Sequence, residues 1–187
     1  MRFTVFSFFS LCSFIWARDE QPNILYIFTD DQSVRSVSAY EKARSWVSTP
    51  NIDRLAKSGV RFTQCYTGTW CQPSRASALT GLLQHRLDSI KVTKYPMASY
   101  DPKKLPFFPS VLRKNGYETA CIGKWHLGED VGHGRDWDYS VIWDRGGGRR
   151  NAMAYYHGTQ VRTNGGPRKA LGGYSNDRFT EIAEEYI

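Results

Sequence analysis

A cysteine and an arginine lie one turn apart at the start of a predicted helix. The stretch Cys71-Gln72-Pro73-Ser74-Arg75 continues as ASALTG to Gly81. Pro73 suits the first turn of a helix, and Gly81 suits the position just past its end. Cys71 is therefore predicted at a helix N-terminus, where unpaired backbone N–H groups and the helix dipole favour an anion, and the Arg75 guanidinium fits sulfate or phosphate oxygens. The alternative is a buried structural cysteine beside a surface arginine.

A second string with polar chemistry, Gly123-Lys124-Trp125-His126-Leu127-Gly128, follows a strand predicted over residues 117–122. Lys124 and His126 are two residues apart, so on an extended backbone their side chains point to the same face. The flanking glycines allow the backbone to approach a ligand closely. The alternative for His126 is an ordinary core or surface histidine.

Two adjacent acids, Asp30 and Asp31, follow the apolar run from Asn23 to Thr29. The run predicts a strand buried on both faces, and ligands of α/β sheets gather at the carboxyl ends of such strands. Two carboxylates at that place are costly unless a positive group lies between them, and a hard cation with oxygen ligands meets that need. The alternative is a solvated turn.

The remaining elements predict how these residues are positioned. Helices are predicted from Thr49 to Gly59, over 109–114 and from Ser175 onward, and a further strand over 60–66. Because strands and helices alternate, the fold class is α/β, with a mostly parallel sheet flanked by helices.

The stretch from Glu129 to Gly173 is rich in glycine, arginine and aromatic residues. This composition favours a mobile, solvated loop. The alternative is that Arg145, Arg149 and Arg150 contact anionic groups of a substrate.

Length and charge limit the classes of function. The 187 residues allow one domain, and a formal charge of +7 predicts acidic partners. The sequence has no zinc-finger spacing or RNA-binding aromatic motif, so nucleic acid is not an expected partner. Residues 1–17 are typical of a signal peptide, which predicts an exported protein formed by residues 18–187. The apolar run is short for a membrane span, so no stable membrane anchor is expected, and a retained anchor is the alternative.

Taken together, these strings resemble the sulfatase family. The matching patterns are C-x-P-S-R with a trailing T-G, G-K-W-H-L-G, T-P-N-x-D-x-L-A-x-x-G at residues 49–59, and an opening strand that ends in D-D. The resemblance implies the alkaline-phosphatase-like sulfatase fold, hydrolysis of sulfate monoesters and a periplasmic or extracellular location. The substrate it implies is a sulfated small molecule or glycan.

The resemblance also implies a role for each residue of the two central strings. A formylglycine-generating enzyme oxidises Cys71 to formylglycine, whose hydrate attacks the sulfur atom. Arg75 and Lys124 offset the charge of the sulfate oxygens, Lys124 and His126 contact the substrate and the formylglycine, and His126 accepts a proton from a formylglycine hydroxyl. Modification of Cys71 leaves Cys65 and Cys121, which either pair as a disulfide or remain free thiols.

Calcium is the metal that the resemblance implies, bound by Asp30, Asp31 and residue 71. Sulfatases are much longer than 187 residues, and their later part completes the metal and sulfate sites. The resemblance therefore implies an N-terminal portion of the fold, and we expect weak calcium binding and little or no turnover by this chain alone. Two alternatives are a phosphate or phosphonate monoester hydrolase of the same superfamily and an inactive secreted binder of sulfated glycans.

Overall fold

The computed structural model describes residues 21–87 and 106–187, so the predicted signal peptide, residues 1–17, lies outside the described residues. The chain divides into two units after Asp30. In the first unit, residues 21–30 form no helix or strand, and Ile24 and Ile27 are exposed. The predicted strand over residues 23–29 is therefore wrong. An apolar run becomes a strand only where another segment pairs with its backbone groups. Residues 21–30 take part in no strand pairing.

The described part of the second unit contains five α-helices and four strands. The helices are α1 (Pro50–Ser58), α2 (Cys71–Thr80), α3 (Phe108–Lys114), α4 (Arg149–Ala152) and α5 (Ser175–Tyr186). The strands are β1 (Ala120–Lys124), β2 (Tyr139–Trp143), β3 (Gln160–Thr163) and β4 (Arg168–Ala170). Short 3₁₀ turns lie at Val34–Ser36 and Gln84–Arg86. Within the described residues, no helix has both the length and the apolar character that a membrane crossing requires.

The helix boundaries follow the local sequence signals. Gly81 ends α2 in the left-handed conformation, with φ 71°, and its N–H donates to the Ser77 carbonyl at 2.9 Å. α3 ends at Asn115, as predicted. Ser175 is the first residue of α5, as predicted, and its hydroxyl donates to the Tyr155 carbonyl at 2.5 Å.

The sheet has the order β1-β2-β3-β4 and is mixed. β1 and β2 are parallel, whereas the pairs β2–β3 and β3–β4 are antiparallel. The β3–β4 pair is antiparallel because a tight turn at Asn164 and Gly165, with φ angles of 48° and 70°, joins the two strands as a hairpin. The α/β class with helices around the sheet is confirmed, and the parallel pairing is confined to β1 and β2 among the described strands.

Side chains of β2 alternate between two apolar clusters, one on each face of the sheet. Ile142 belongs to the first cluster, whose other buried members are Ala76, Leu87, Phe107, Trp125, Leu127, Val131 and Trp137. Val141 and Trp143 belong to the second, together with Val161 and the partly buried Tyr139, Leu171, Phe179 and Ile182. Helix α2 thus packs on one face through Ala76 and helix α5 on the other through Phe179.

Two further predictions about the elements are wrong. Residues 60–66 form no strand, and Val60, Phe62 and Tyr66 are exposed, since no described segment pairs with them. The supposed loop from Glu129 to Gly173 contains β2, β3, β4 and α4. Its glycines and arginines suggested solvation, but the YSVIW run within it becomes β2, one of the two inner strands of the sheet.

Candidate active site

The start of helix α2 is enclosed by the loop that precedes it. Cys71 is the first helical residue, and Trp70 before it is extended. The Ser74 hydroxyl donates to the Gly68 carbonyl at 2.9 Å. A Cβ atom at Gly68 would lie 2.7 Å from the Ser74 backbone nitrogen, so only glycine permits this approach. The loop therefore fixes the first turn of α2 and the direction of the half-buried Cys71 side chain.

The second string lies where β1 ends. The Trp125 N–H donates to the Trp143 carbonyl at 2.9 Å, and its ring packs edge-on against Phe107 and Trp137 in the first apolar cluster. His126 is buried and has a left-handed backbone with φ 62°, which is rare for a residue other than glycine. Such a conformation persists only where the surroundings impose it. The anchored Trp125 ring therefore holds the backbone that presents His126.

The two strings meet although they are far apart in the sequence. Cys71 Sγ lies 3.2 Å from His126 Nδ1, and Arg75 Nη1 donates to the Lys124 carbonyl at 2.6 Å. The structure thus brings together Cys71, Arg75, Lys124 and His126. The first contact puts a nitrogen that can donate or accept a proton beside residue 71, and the second ties helix α2 to the end of β1.

Arg145 is a site residue that the sequence analysis left unresolved. The residue is 4 % exposed, its Nη1 atom lies 3.1 Å from His126 Nε2, and its Nε–H donates to the Ala152 carbonyl at 2.9 Å. Within the described part of the chain it forms no ion pair with a carboxylate. A buried cation of this kind is costly unless an anion comes close, so the site is suited to an anionic ligand. Arg149 and Arg150, by contrast, are exposed on α4.

Two aromatic rings lie beside the charged groups of Lys124 and Arg145. The rings of Trp143 and Tyr155 lie edge-to-face with centroids 5.1 Å apart. The Lys124 ammonium lies 5.8 Å and 5.4 Å from these centroids, and the Arg145 guanidinium 5.7 Å and 5.4 Å. Cation–π attraction helps to localise both charges beside the two rings.

Asp144 supports the turn that carries Arg145. Its fully buried carboxylate accepts hydrogen bonds from the Gly146 N–H at 2.9 Å and from Arg168 Nη2 at 2.7 Å. The hydrogen bond to Asp144 also raises the pKa of the Arg168 guanidinium. This pair links β4 to the end of β2, so the sheet itself sets the position of Arg145.

The predicted metal ligands are less defined in the structure. Asp31 is exposed and has a left-handed backbone with φ 57°, and Asp30, in the first unit, is also exposed. Across residues 31–87 and 106–187, no group of three or more His, Cys, Asp or Glu side chains could hold a metal ion. The donor chemistry still fits calcium, because carboxylate oxygens are hard ligands. The calcium site at Asp30, Asp31 and residue 71 stays a prediction.

The cysteines at positions 65 and 121 are free thiols and not a disulfide. Cys65 is exposed, whereas Cys121 lies in β1 against the first apolar cluster. Burial raises the pKa of the Cys121 thiol to about 12, so it stays protonated and unreactive at neutral pH. Of the three described cysteines, only Cys71 faces the site.

The fold and the site define an α/β protein in which two cations and a histidine surround one cysteine. The family model described as Sulfatase matches residues 22–187. The chain therefore belongs to the sulfatase family.

Individual relatives agree with this assignment. An N-acetylglucosamine-6-O-sulfatase of Bacteroides thetaiotaomicron is 38% identical over 109 residues, which are 58% of this chain and 18% of that protein. Human N-acetylgalactosamine-6-sulfatase is 34% identical over 119 residues, 58% of this chain and 22% of that protein. The chain thus spans about a fifth of the length of the curated relatives it matches.

Among solved structures, one described as a complex with its substrate D-glucosamine-2-N,6-O-disulfate superposes with a TM-score of 0.72. That protein is 31% identical, and the match covers 88% of this chain and 31% of that chain.

Proposed function

We propose that this protein hydrolyses sulfate monoesters and that residue 71, matured from cysteine to formylglycine, is its nucleophile. The observation that carries this proposal is the contact of 3.2 Å between Cys71 Sγ and His126 Nδ1, two residues 55 positions apart. A structural cysteine needs no such neighbour. When present, the hydrated aldehyde supplies a hydroxyl group as the attacking atom in place of the thiol.

The side chains around residue 71 have distinct tasks in this proposal. Lys124 and Arg145, both held on the same aromatic pair, offer positive charge to the sulfate oxygens before the substrate arrives, which is the arrangement that stabilises charge most effectively. Arg75 joins α2 to the end of β1 and so keeps residue 71 in register with Lys124. His126 holds or receives a proton at Nδ1, the ring nitrogen nearest residue 71.

A calcium ion would be held by Asp30 and Asp31 together with the oxygens of the matured residue 71. Hard oxygen ligands favour calcium or magnesium over zinc. Such an ion would add positive charge next to the sulfate oxygens.

The substrate that we propose is a sulfated glycan, and we propose an exported location for the enzyme. The solved relative bound to a disulfated glucosamine supports the substrate class, and the net charge of +7 suits a polyanion. A formylglycine-generating enzyme is the required maturation partner.

The decisive experiment is to express the full chain with and without a formylglycine-generating enzyme and to analyse its peptides by mass spectrometry. We expect Cys71 to lose its sulfur and gain an aldehyde oxygen only when the enzyme is present. Cys65 is the internal control, because it is exposed in the same chain but lacks the C-x-P-S-R context. A Cys71 peptide that keeps its thiol under these conditions would refute the proposal.

Substrate class is tested with the same preparation on an aryl sulfate and an aryl phosphate. Any turnover should be confined to the sulfate and lost in Cys71→Ala. Equal or faster release from the phosphate would instead favour a phosphate esterase. The sequence-based expectation of little turnover by this chain alone is tested in the same assay.

A further inference from the structure

Two exposed tyrosine rings lie parallel to each other on the surface near α5. The centroids of Tyr156 and Tyr174 are 5.9 Å apart with an interplanar angle of 10°, and the His157 ring lies 5.6 Å from Tyr174. Tyr156 is 61% exposed and Tyr174 is 38% exposed. Rings with this exposure add little to the core, so their parallel arrangement calls for another explanation.

The backbone under these rings is held in place from both sides. Ser175 donates its backbone N–H to the Tyr156 carbonyl at 2.8 Å and its hydroxyl to the Tyr155 carbonyl at 2.5 Å. His157 Nδ1 lies 3.2 Å from the Gly173 carbonyl oxygen. The two rings are therefore positioned by the fold before any ligand arrives, which lowers the entropic cost of binding.

Tyr155 connects the active site to the ring pair along the chain. The Tyr155 ring, like that of Trp143, contacts both Lys124 and Arg145, and its neighbour in sequence, Tyr156, carries a more exposed ring. A ligand whose anionic group lies beside Lys124 can therefore extend along an aromatic surface. The exposed Arg149 and Arg150 belong to α4, which ends three residues before Tyr155, and they add positive charge to the same segment.

We propose that Tyr156 and Tyr174 form a sugar-stacking subsite that binds a pyranose ring of a sulfated oligosaccharide next to the sulfate-binding groups. The apolar C–H face of a pyranose packs on an aromatic ring, while the phenol hydroxyls reach its polar edge. Lipid or peptide partners lack this combination of flat apolar faces and attached sulfates. The inference deepens the proposed function and rests on it for the sulfate contact.

The test is calorimetric binding of a sulfated tetrasaccharide prepared from heparin, compared with inorganic sulfate, to the full chain. We expect Tyr156→Ala and Tyr174→Ala each to weaken tetrasaccharide binding about two- to tenfold, the range that one aromatic contact provides. Inorganic sulfate, which is too small to reach the tyrosines, should bind all variants alike.

Two controls make the result specific to stacking. Tyr156→Phe keeps the ring and should retain most of the affinity, whereas Tyr66→Ala removes an exposed ring that makes no aromatic contact within the described residues, and should change nothing. Unchanged tetrasaccharide affinity in both alanine variants would overturn the subsite, as would an equal loss in Tyr66→Ala or no tetrasaccharide binding at all. Failure of the proposed function is seen separately, as an unmodified Cys71.

Discussion

Residues 31–66 and 106–187 belong to the same unit but are ordered by different forces. In residues 31–66 the only buried apolar side chain is Val37. Polar contacts hold this segment: the Ser38 hydroxyl donates to Asp53 at 2.7 Å, and the Thr49 hydroxyl donates to Asp53 at 2.9 Å. Residues 106–187 instead contain the sheet and most of both apolar clusters.

This difference explains why the part of the candidate site that residues 106–187 carry is better defined than the predicted metal ligands. Lys124 ends β1, and the buried His126 and Arg145 directly follow β1 and β2, so their positions are fixed by the packing of these strands. Asp30 and Asp31 are exposed instead. A strong local pattern is therefore not enough to build a site, since the surrounding chain must also supply the packing partners.

The largest expected effect compares two tryptophans, one from each region. Trp125 is 2% exposed, and Trp125→Ala should lower the free energy of unfolding by about 3–5 kcal/mol, because it leaves a large cavity. Trp46 is 82% exposed, and Trp46→Ala should change the free energy of unfolding by no more than about 0.5 kcal/mol. Urea unfolding measures both values. Similar losses in the two variants would mean that the regions do not differ in packing.

The second prediction concerns the buried cation of the sheet region. Arg145→Gln should weaken the binding of inorganic sulfate about tenfold, since a charge-assisted hydrogen bond to an anion is lost. Arg150→Gln removes an exposed cation and should have a much smaller effect, which fades as salt is added. Calorimetric titration at low and high salt checks both. An equal effect of the two changes would place the sulfate elsewhere.

A smaller effect is expected for Asp30 and Asp31. Asp30→Asn and Asp31→Asn should each weaken calcium binding severalfold, because an amide oxygen is a poorer ligand than a carboxylate. Asp53→Asn is the matched control, since Asp53 already serves as an internal acceptor for Ser38 and should not bind the ion. Calcium affinity that is unchanged in both of the first two variants would remove the proposed metal site.

The smallest effect is a pH dependence of stability that arises from Asp53, within residues 31–66. The hydrogen bond from Ser38, together with that from Thr49, lowers the pKa of the Asp53 carboxyl below its usual 3.8. Because the folded pKa is depressed, the contribution to stability is complete above the unfolded pKa and is lost as the pH falls through the folded pKa. Urea unfolding below pH 4 should show this loss, and Asp53→Asn should abolish it. A variant with the wild-type pH dependence would contradict this assignment.

Local signals in the sequence predicted the elements that carry the two strings. Pro73 and Gly81 marked helix α2 correctly, because proline and glycine act through the backbone and need no distant partner. The strand before Lys124 was also predicted, although it begins at Ala120 and not at Tyr117. The contact between Cys71 and His126 was expected only from the family resemblance.

The parts that were missed depend on contacts between distant segments. The burial of Arg145 follows from the pairing of β2 with β1 and β3, which no local window reveals. The Asn164-Gly165 dipeptide was a usable signal for the β3–β4 hairpin, and reading it would have replaced the predicted loop by strands. The runs over 23–29 and 60–66 misled because strand composition does not provide a partner.

The 55 positions between Cys71 and His126 also correspond to an interval of time. At ~5–20 residues per second, a ribosome needs roughly 3 to 11 seconds to add His126 after Cys71. Until then the apolar cluster around Trp125 cannot form, and the string at Cys71 is an unpaired peptide. In the finished fold, residues 72–74 are buried. An enzyme that recognises this string by its side chains must therefore act before the chain folds, and slower translation between the two positions would lengthen its opportunity.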